Sequence, residues 1–382
     1  MSEVDGSVGR DLPAVCISGV SWGFMRQRPQ HLIFRYAQHA PVLFVEPPSS
    51  PGYSVIFSYA RSKASKIQRN LWSLRPKKML PRDRTSHFLK AFNDRFTRNL
   101  IDKTVYRLNM GEHLLWCYRY DSLAYGRTAK SKIVLYDCVD DWASFWKSVK
   151  GVAEIESKLV VSSDIVLTTA NRLYESKKKQ NPHTYLVPNG VEYDHFSKAS
   201  KTLDVPPSME RIPHPIIGFT GAVYEWVDLD LVAAIAKRRP EWSFVFVGPV
   251  PSRMRIPDLP NVRFLGEVPY DVLPSYLSNF DACILPFRHN EITENANPIK
   301  MYEYLATGKP IVSTGIAEVI KFSNLIYIAE GVDEFEEHIE IALKEGENRS
   351  EARRAAAAGN SWDQRMLSIL GIIRERRDEL GV

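Results

Sequence analysis

The fold is decided by the stretch Ala282-Cys-Ile-Leu-Pro286, a polar loop, Asn297-Pro-Ile-Lys-Met-Tyr-Glu-Tyr-Leu-Ala-Thr-Gly308, and then Pro310-Ile-Val-Ser-Thr314. Two short apolar runs flank a segment of helical length. Pro298 suits the first helical turn, where its missing N–H is not needed, and Gly308 suits a helix stop that requires a left-handed residue. Strand, helix and strand in that order make a parallel pair joined by a crossover. Because both runs are continuously apolar, they are buried on both faces, which calls for a parallel sheet wrapped by helices.

The same alternation extends outward in both directions. Earlier strand-like runs are AVCIS (14–18), PVLFV (41–45), LLWCY (114–118), IVLYD (133–137) and IVLTT (165–169), followed by IIGFT (216–220), SFVFVG (243–248) and VRFLG (262–266). LIYIA (325–329) comes after the deciding stretch. The pattern predicts an α/β protein of two doubly wound domains. The seam is expected near Val187-Pro-Asn-Gly-Val-Glu-Tyr-Asp-His-Phe196, because Asn189-Gly190 is a turn signal and a fresh strand–helix series begins at Ile216. The expected domains are therefore 1–188 and 189–362, with a final amphipathic helix over 363–382 that can pack back on the first.

Composition agrees with this and removes other classes. A chain of 382 residues is too long for one ordinary core. With 44% apolar and 25% charged residues it is neither disordered, collagen-like nor a disulfide-stapled miniature. A net charge of +5 is too small to argue for nucleic acid, and none is expected as a partner. Cys16, Cys117, Cys138 and Cys283 stand far apart beside strand runs, which favours buried reduced thiols over a zinc site or a disulfide. His113, His183, His195, His214 and His289 show no metal-ligand spacing and read as solvent-facing or hydrogen-bonded structural residues; no metal is expected. The first residues lack a signal-peptide pattern, and no run approaches the roughly 18 apolar residues of a bilayer span, so a cytoplasmic location is expected, at most peripheral to the inner face of the membrane. Between Arg61 and Arg98, twelve basic residues stand against two acidic ones, with Leu71, Trp72, Leu74, Phe88, Phe92 and Phe96 interleaved. That stretch (61–98) reads either as a cationic surface for anionic lipid headgroups or as a solvated helical face with buried aromatics.

In doubly wound sheets ligands bind beyond the carboxyl ends of the strands. At the start of the helix after ACILP, the backbone amides of Ile299 and Lys300 and the Lys300 ammonium form an anion site able to hold a diphosphate without metal. One turn on, Glu303 can accept hydrogen bonds from a ribose diol. A phosphate followed by a hydroxylated sugar describes a nucleotide. In the first domain, Gly23 permits close approach of backbone to a ligand, and Arg26 and Arg28 can reach a phosphate; a plain β–α turn with solvated arginines is the alternative. Asp137, Asp140 and Asp141 crowd the end of IVLYD, where carboxylates repel unless something binds them, although Asp140 or Asp141 can instead cap a helix. Neither G-x-S-x-G nor a P-loop occurs.

NPIKMYEYLATGKPIVST resembles the nucleotide-sugar segment of GT-B glycosyltransferases, in particular the retaining, family 4-like group with a Glu-x7-Glu signature. VPNGVEYDHF resembles that group's interdomain motif, while GFTGAVYEW and NVRFLGEVPYDVLPSYLSNFDACILPF follow its order. SWGFMRQRPQHL and YDCVDDWASF resemble a bacterial subset that builds cell-surface polysaccharides, including teichuronic-acid-type transferases. Together these fragments cover about residues 15–313. The resemblance implies two Rossmann-like domains facing across a cleft. It also implies metal-independent hexosyl transfer from a nucleotide diphosphate sugar, a UDP-sugar favoured, to a hydroxyl of a glycan or lipid-linked acceptor, with retention. No cofactor is implied beyond that donor.

Carried over residue by residue, the resemblance puts Glu303 on the ribose and Pro298, Ile299, Lys300 and Gly221 at the diphosphate. Gly266-Glu267-Val268 falls beside the base, and Asn297 and Tyr302 are placed with the substrate-binding residues. Asp140 and Asp141 face the transferred sugar, to orient it or take a proton. Two departures stand out. The first signature Glu falls on Asn295, with Glu294 one place away as the shifted catalytic carboxylate. The basic residues usual after Gly221 are missing, which leaves Lys300, aided by Arg288 or the first domain, to neutralise phosphate. A nucleotide-sugar epimerase and a non-catalytic nucleotide-sugar-binding partner are the alternatives.

Overall fold

The computed structural model of the chain describes residues 11–48, 63–77, 86–145, 149 and 151–382. It forms two compact units, one of Met1–Thr169, Leu173–Val187 and Met366–Val382, the other of Ala170–Arg172 and Pro188–Arg365.

The first unit is built on strands β1 (Ala14–Ile17), β2 (Val42–Val45), β3 (Ser65–Gln68), β4 (Leu71–Leu74), β5 (His113–Cys117), β6 (Ser131–Cys138), β7 (Ile165–Thr168) and β8 (Thr184–Leu186). Their order is β3-β4-β2-β1-β5-β6-β7-β8. All neighbours pair in parallel except β3 with β4. Strands β1, β2, β5 and β7 are buried along their whole length, as their uninterrupted apolar character requires. The end of the helix Trp362–Leu380 belongs to this unit, where Arg374 grips Asp11 through two nitrogens at 2.8 and 2.7 Å.

Of the two surfaces expected for the basic stretch, the solvated helical face with buried aromatics does not match the structure. Leu71 and Leu74 lie in the core, because β4 pairs in parallel with β2 and β3 folds back as the edge strand. The exposed lysines Lys63 and Lys66 blunt that edge against further pairing. Phe88, on the helix His87–Arg107, is 76% exposed and Phe92 is exposed too, so these aromatics are not buried under a solvated face. Arg61, Lys78, Arg82 and Arg84 lie outside the described residues.

The second unit carries β9 (Ile216–Thr220), β10 (Ser243–Val247), β11 (Val262–Phe264), β12 (Ala282–Leu285), β13 (Ile311–Thr314) and β14 (Tyr327–Ala329). The order β11-β10-β9-β12-β13-β14, with every pair parallel, is the doubly wound arrangement that reverses direction between β9 and β12. Gly218 sits mid-strand in β9 because a Cβ there would overlap the Phe280 ring. The deciding stretch behaves as read: Pro298 caps the helix Ile299–Thr307, and Gly308 ends it at φ +78°. All four cysteines are buried free thiols. Among the described residues no helix is long and apolar enough to cross a membrane, and no cluster of three His, Cys, Asp or Glu side chains is placed to hold a metal ion.

Candidate active site

In the second unit the carboxyl ends of neighbouring strands are laced together through glycines in conformations that L side chains rarely adopt. Gly221 follows β9 at φ +133°, Gly248 follows β10 at φ +147°, and Gly266 follows β11 at φ +76°. The Gly221 N–H donates to the Val247 carbonyl at 2.8 Å and the Gly248 N–H to the Gly266 carbonyl at 2.7 Å. The approach is so close that a Cβ on Gly248 would overlap the Gly221 carbonyl oxygen.

The helix Ile299–Thr307 is pinned to this floor by Tyr304, whose buried hydroxyl accepts the Thr220 N–H at 2.7 Å. The first turn hydrogen bond runs from the Met301 N–H to the Pro298 carbonyl at 3.2 Å, which leaves the Ile299 and Lys300 amides at the open end, as in any helix. The Lys300 side chain lies across Gly221, with its Cε 3.0 Å from where a Gly221 Cβ would stand. Its ammonium is 2.9 Å from Glu303 Oε2. Glu303 is 1% exposed, so the pair holds a buried carboxylate beneath a half-buried cation. The structure thus brings Gly221, Pro298, Ile299, Lys300 and Glu303 together. Val268, two residues beyond Gly266, is half-buried against the core of the same unit. Gly248 and Tyr304 were missed; the only sequence signal for Gly248 was its place at the end of SFVFV.

Other expected site residues have partners within the protein. Asn297 accepts the Asn189 N–H on its Oδ1 at 2.9 Å and donates through Nδ2 to Tyr302 Oη and Glu318 Oε2, each at 3.2 Å. Its carbonyl takes the Asn189 side-chain amide at 2.7 Å. Tyr302 is 2% exposed and meets Phe322 edge-on. Asn297 therefore anchors the Asn189-Gly190 segment, and Tyr302 accepts from Asn297 beside it. Asn295 ends the one-turn helix Glu291–Glu294. The shifted carboxylate Glu294 is held by Arg172 at 2.9 Å and His289 at 3.1 Å. Arg288 is paired with Asp230 at 2.6 Å and Asp228 at 3.2 Å on the exposed side of the unit.

In the first unit two of the expected ligand-facing residues pair with each other. Arg28 Nε lies 2.9 and 3.0 Å from the two Asp137 oxygens, and both side chains are buried, at 2% and 0% exposure. Two isolated charges would not tolerate that desolvation, so they form a buried ion pair. Gly23 and Arg26 are exposed on the connection after β1, and no protein atom comes close to where a Gly23 Cβ would stand. Asp141 takes the capping role: its oxygens accept the Ser144 hydroxyl at 2.7 Å and the Ser144 N–H at 3.4 Å at the start of the turn Trp142–Phe145.

Asp140 is different, because burial and then the neighbouring Asp141 push its carboxyl up from the ordinary 3.8 to about 6. A carboxyl raised in the folded state favours its protonated form. The native protein therefore loses stability as pH rises from about 4 through 6, while below 4 both folded and unfolded chains are protonated. Asp140→Asn should stabilise the protein at pH 7.5 by about 1–3 kcal/mol and leave it unchanged at pH 3.5. Denaturant melts at the two pH values check this; an Asn variant no more stable at pH 7.5 would contradict it.

With this geometry in view, likeness to known proteins is informative. Residues 214–345 match the family model of glycosyl transferases group 1. A 208-residue region, 49% of the chain, is 27% identical to TuaH of Bacillus subtilis (strain 168), provisionally named as a teichuronic acid biosynthesis glycosyltransferase; it spans about half (52%) of that relative's length. Among solved structures, a sucrose-phosphate synthase from Thermosynechococcus elongatus superposes with a TM-score of 0.69 at 14% identity, covering 95% of this chain and 98% of that one. A UDP-forming α,α-trehalose-phosphate synthase from Burkholderia vietnamiensis gives 0.70 at 10% identity over 95% and 97%. Anabaena Alr3699/HepE, solved in complex with UDP, gives 0.67 at 10% over 95% and 100%. At such identities the likeness shows the fold, which is of GT-B type with two Rossmann-like α/β domains.

Proposed function

We propose that this chain is a glycosyltransferase that moves a sugar, with retention and without a divalent metal, from a nucleotide diphosphate sugar to a hydroxyl of a glycan or lipid-linked acceptor in bacterial surface polysaccharide synthesis. A UDP-sugar is the favoured donor. The observation that carries the reading is the convergence of the Lys300 ammonium, the Ile299 and Lys300 amides and the Glu303 carboxylate over the Gly221–Gly248 floor. The family match over 214–345 and the likeness to TuaH support it.

The chemistry follows from where charge develops. As the glycosidic bond to phosphate breaks, negative charge grows on the departing diphosphate, and fixed amides plus one ammonium meet it without reorganisation. Glu303 is suited to the ribose diol because it is acceptor-only and rigidly held. Since Glu294 is tied to Arg172 and His289, no carboxylate is offered there as a nucleophile. That favours a front-face reaction in which a donor phosphate oxygen assists deprotonation of the acceptor. On the acceptor side, in the first unit, Asp140 with its carboxyl near 6 is the candidate to orient the sugar or take the proton.

Release of nucleoside diphosphate from a panel of uridine and guanosine diphosphate sugars, with and without polysaccharide acceptors, tests the reading. Acceptor-dependent release supports it. Isomerised donor in acceptor-free buffer would replace it with an epimerase, and tight donor binding without turnover would replace it with a non-catalytic binding partner. The proposed acceptor is membrane-borne, on the exposed cations of the β3–β4 hairpin and the exposed Phe88, Phe92 and Arg95 of the following helix. Phe88→Ala combined with Arg95→Ala and Arg98→Ala should weaken co-sedimentation with phosphatidylglycerol vesicles by about tenfold; unchanged binding would remove the membrane from the proposal.

A further inference from the structure

We propose that His195 is a positioning residue of the donor site, holding the Gly266–Tyr270 loop in place and thereby setting affinity for the nucleoside half of the donor. This rests on the donor reading above and goes beyond it. The loop leaves β11 at the same sheet edge as Gly221 and Gly248 and is tethered at both ends. At one end the Gly266 carbonyl takes the Gly248 N–H at 2.7 Å. At the other, the His195 ring stacks on Tyr270 with centroids 4.6 Å apart and planes 9° from parallel. His195 Nε2 also lies 3.0 Å from the Tyr270 carbonyl oxygen, a contact that requires a proton on Nε2. Phe196, fully buried, meets both rings edge-on at 4.9 and 5.6 Å and fixes the stack from below.

Between the tethers only Glu267, Val268 and Pro269 are left to move, with Glu267 and Pro269 exposed. The turn Tyr193–Phe196 that carries His195 packs in addition against the helix Ile299–Thr307, home of Lys300 and Glu303. The turn that carries His195 therefore connects the loop that would border the base, through the imidazole, to the helix that would hold the diphosphate and ribose. A ligand spanning both would sense the connection, whereas one that reaches only the helix start would not.

Calorimetric titration of the full chain with UDP and, separately, with inorganic pyrophosphate distinguishes the two. His195→Ala should weaken UDP about tenfold while pyrophosphate stays within about twofold of the unsubstituted chain. His195→Phe, which keeps a ring for the stack but lacks the hydrogen bond to Tyr270, should fall between. In turnover the loss should appear in the donor KM with kcat retained. UDP binding by His195→Ala at full strength would overturn the proposal, as would equal losses for UDP and pyrophosphate, the mark of a site merely unfolded. If the unsubstituted chain binds neither ligand, the donor site itself is wrong and the inference falls with it.

Discussion

Lys300→Ala is expected to lower kcat by about 10²–10³-fold with a far smaller change in donor KM, the loss typical of removing one preorganised charge from a site of developing negative charge. Lys300 meets the diphosphate most strongly when the bond to the sugar breaks, so its contribution belongs mainly to the transition state. The opposite split is expected at the other end of the same ion pair. Glu303→Ala frees the ammonium but removes the ribose acceptor, and should raise donor KM by about 10–100-fold, the cost of a hydrogen-bonded charged contact, with kcat largely kept. Wild-type donor affinity in Glu303→Ala would refute the ribose assignment. Because Glu303 is 1% exposed, Lys300→Ala also strands a buried carboxylate. Steady-state kinetics should therefore be read beside a thermal melt, and Lys300→Arg, which retains the charge but not the point geometry, should recover stability more fully than rate.

The second large effect is expected from a single methyl group. Gly248→Ala places a Cβ onto the Gly221 carbonyl oxygen, at a φ of +147° that L side chains rarely adopt. The obstructing atom is backbone, so no side chain can swing aside; Gly221 must move, and it is the residue over which Lys300 lies. Together the strain and overpacking should cost about 2–4 kcal/mol of stability and lower UDP affinity by about 100-fold or more. Gly266→Ala is the control: its φ of +76° is also unfavourable, but nothing stands within 4 Å of the added carbon, so only about 1 kcal/mol should be lost. If Gly248→Ala melts and binds like the unsubstituted chain, the laced floor is not part of the site.

Much of the fold was readable because parallel strands buried on both faces leave uninterrupted apolar runs, and every such run identified in the sequence is a strand. The three missed strands lack that signature. β3 is largely polar, β4 has a core leucine at each end with two half-buried residues between them inside a basic stretch, and β8 has only three residues at a sheet edge. Their pairing, with β2 and β7 as neighbours, made them strands. The site divides similarly. Ile299, Lys300 and Glu303 were legible because one helix turn sets their spacing, and Gly221 because it ends a strand.

The protein partners of Asn297, Tyr302, Arg28, Asp137 and Arg288 were not legible, because a polar side chain looks the same in sequence whether its partner is a ligand or a residue far along the chain. Arg28 finds Asp137, 109 positions away, and Asn297 finds Asn189, 108 away. Amino-acid order alone determined the buried parallel strands of the two sheets and the helix start at Ile299, since period, apolar continuity and turn residues act over a few neighbouring positions. Which charges remain for a ligand, how closely Gly248 approaches Gly221, and where His195 rests were decided only by tertiary packing, because desolvation and close contact depend on what the folded chain brings alongside.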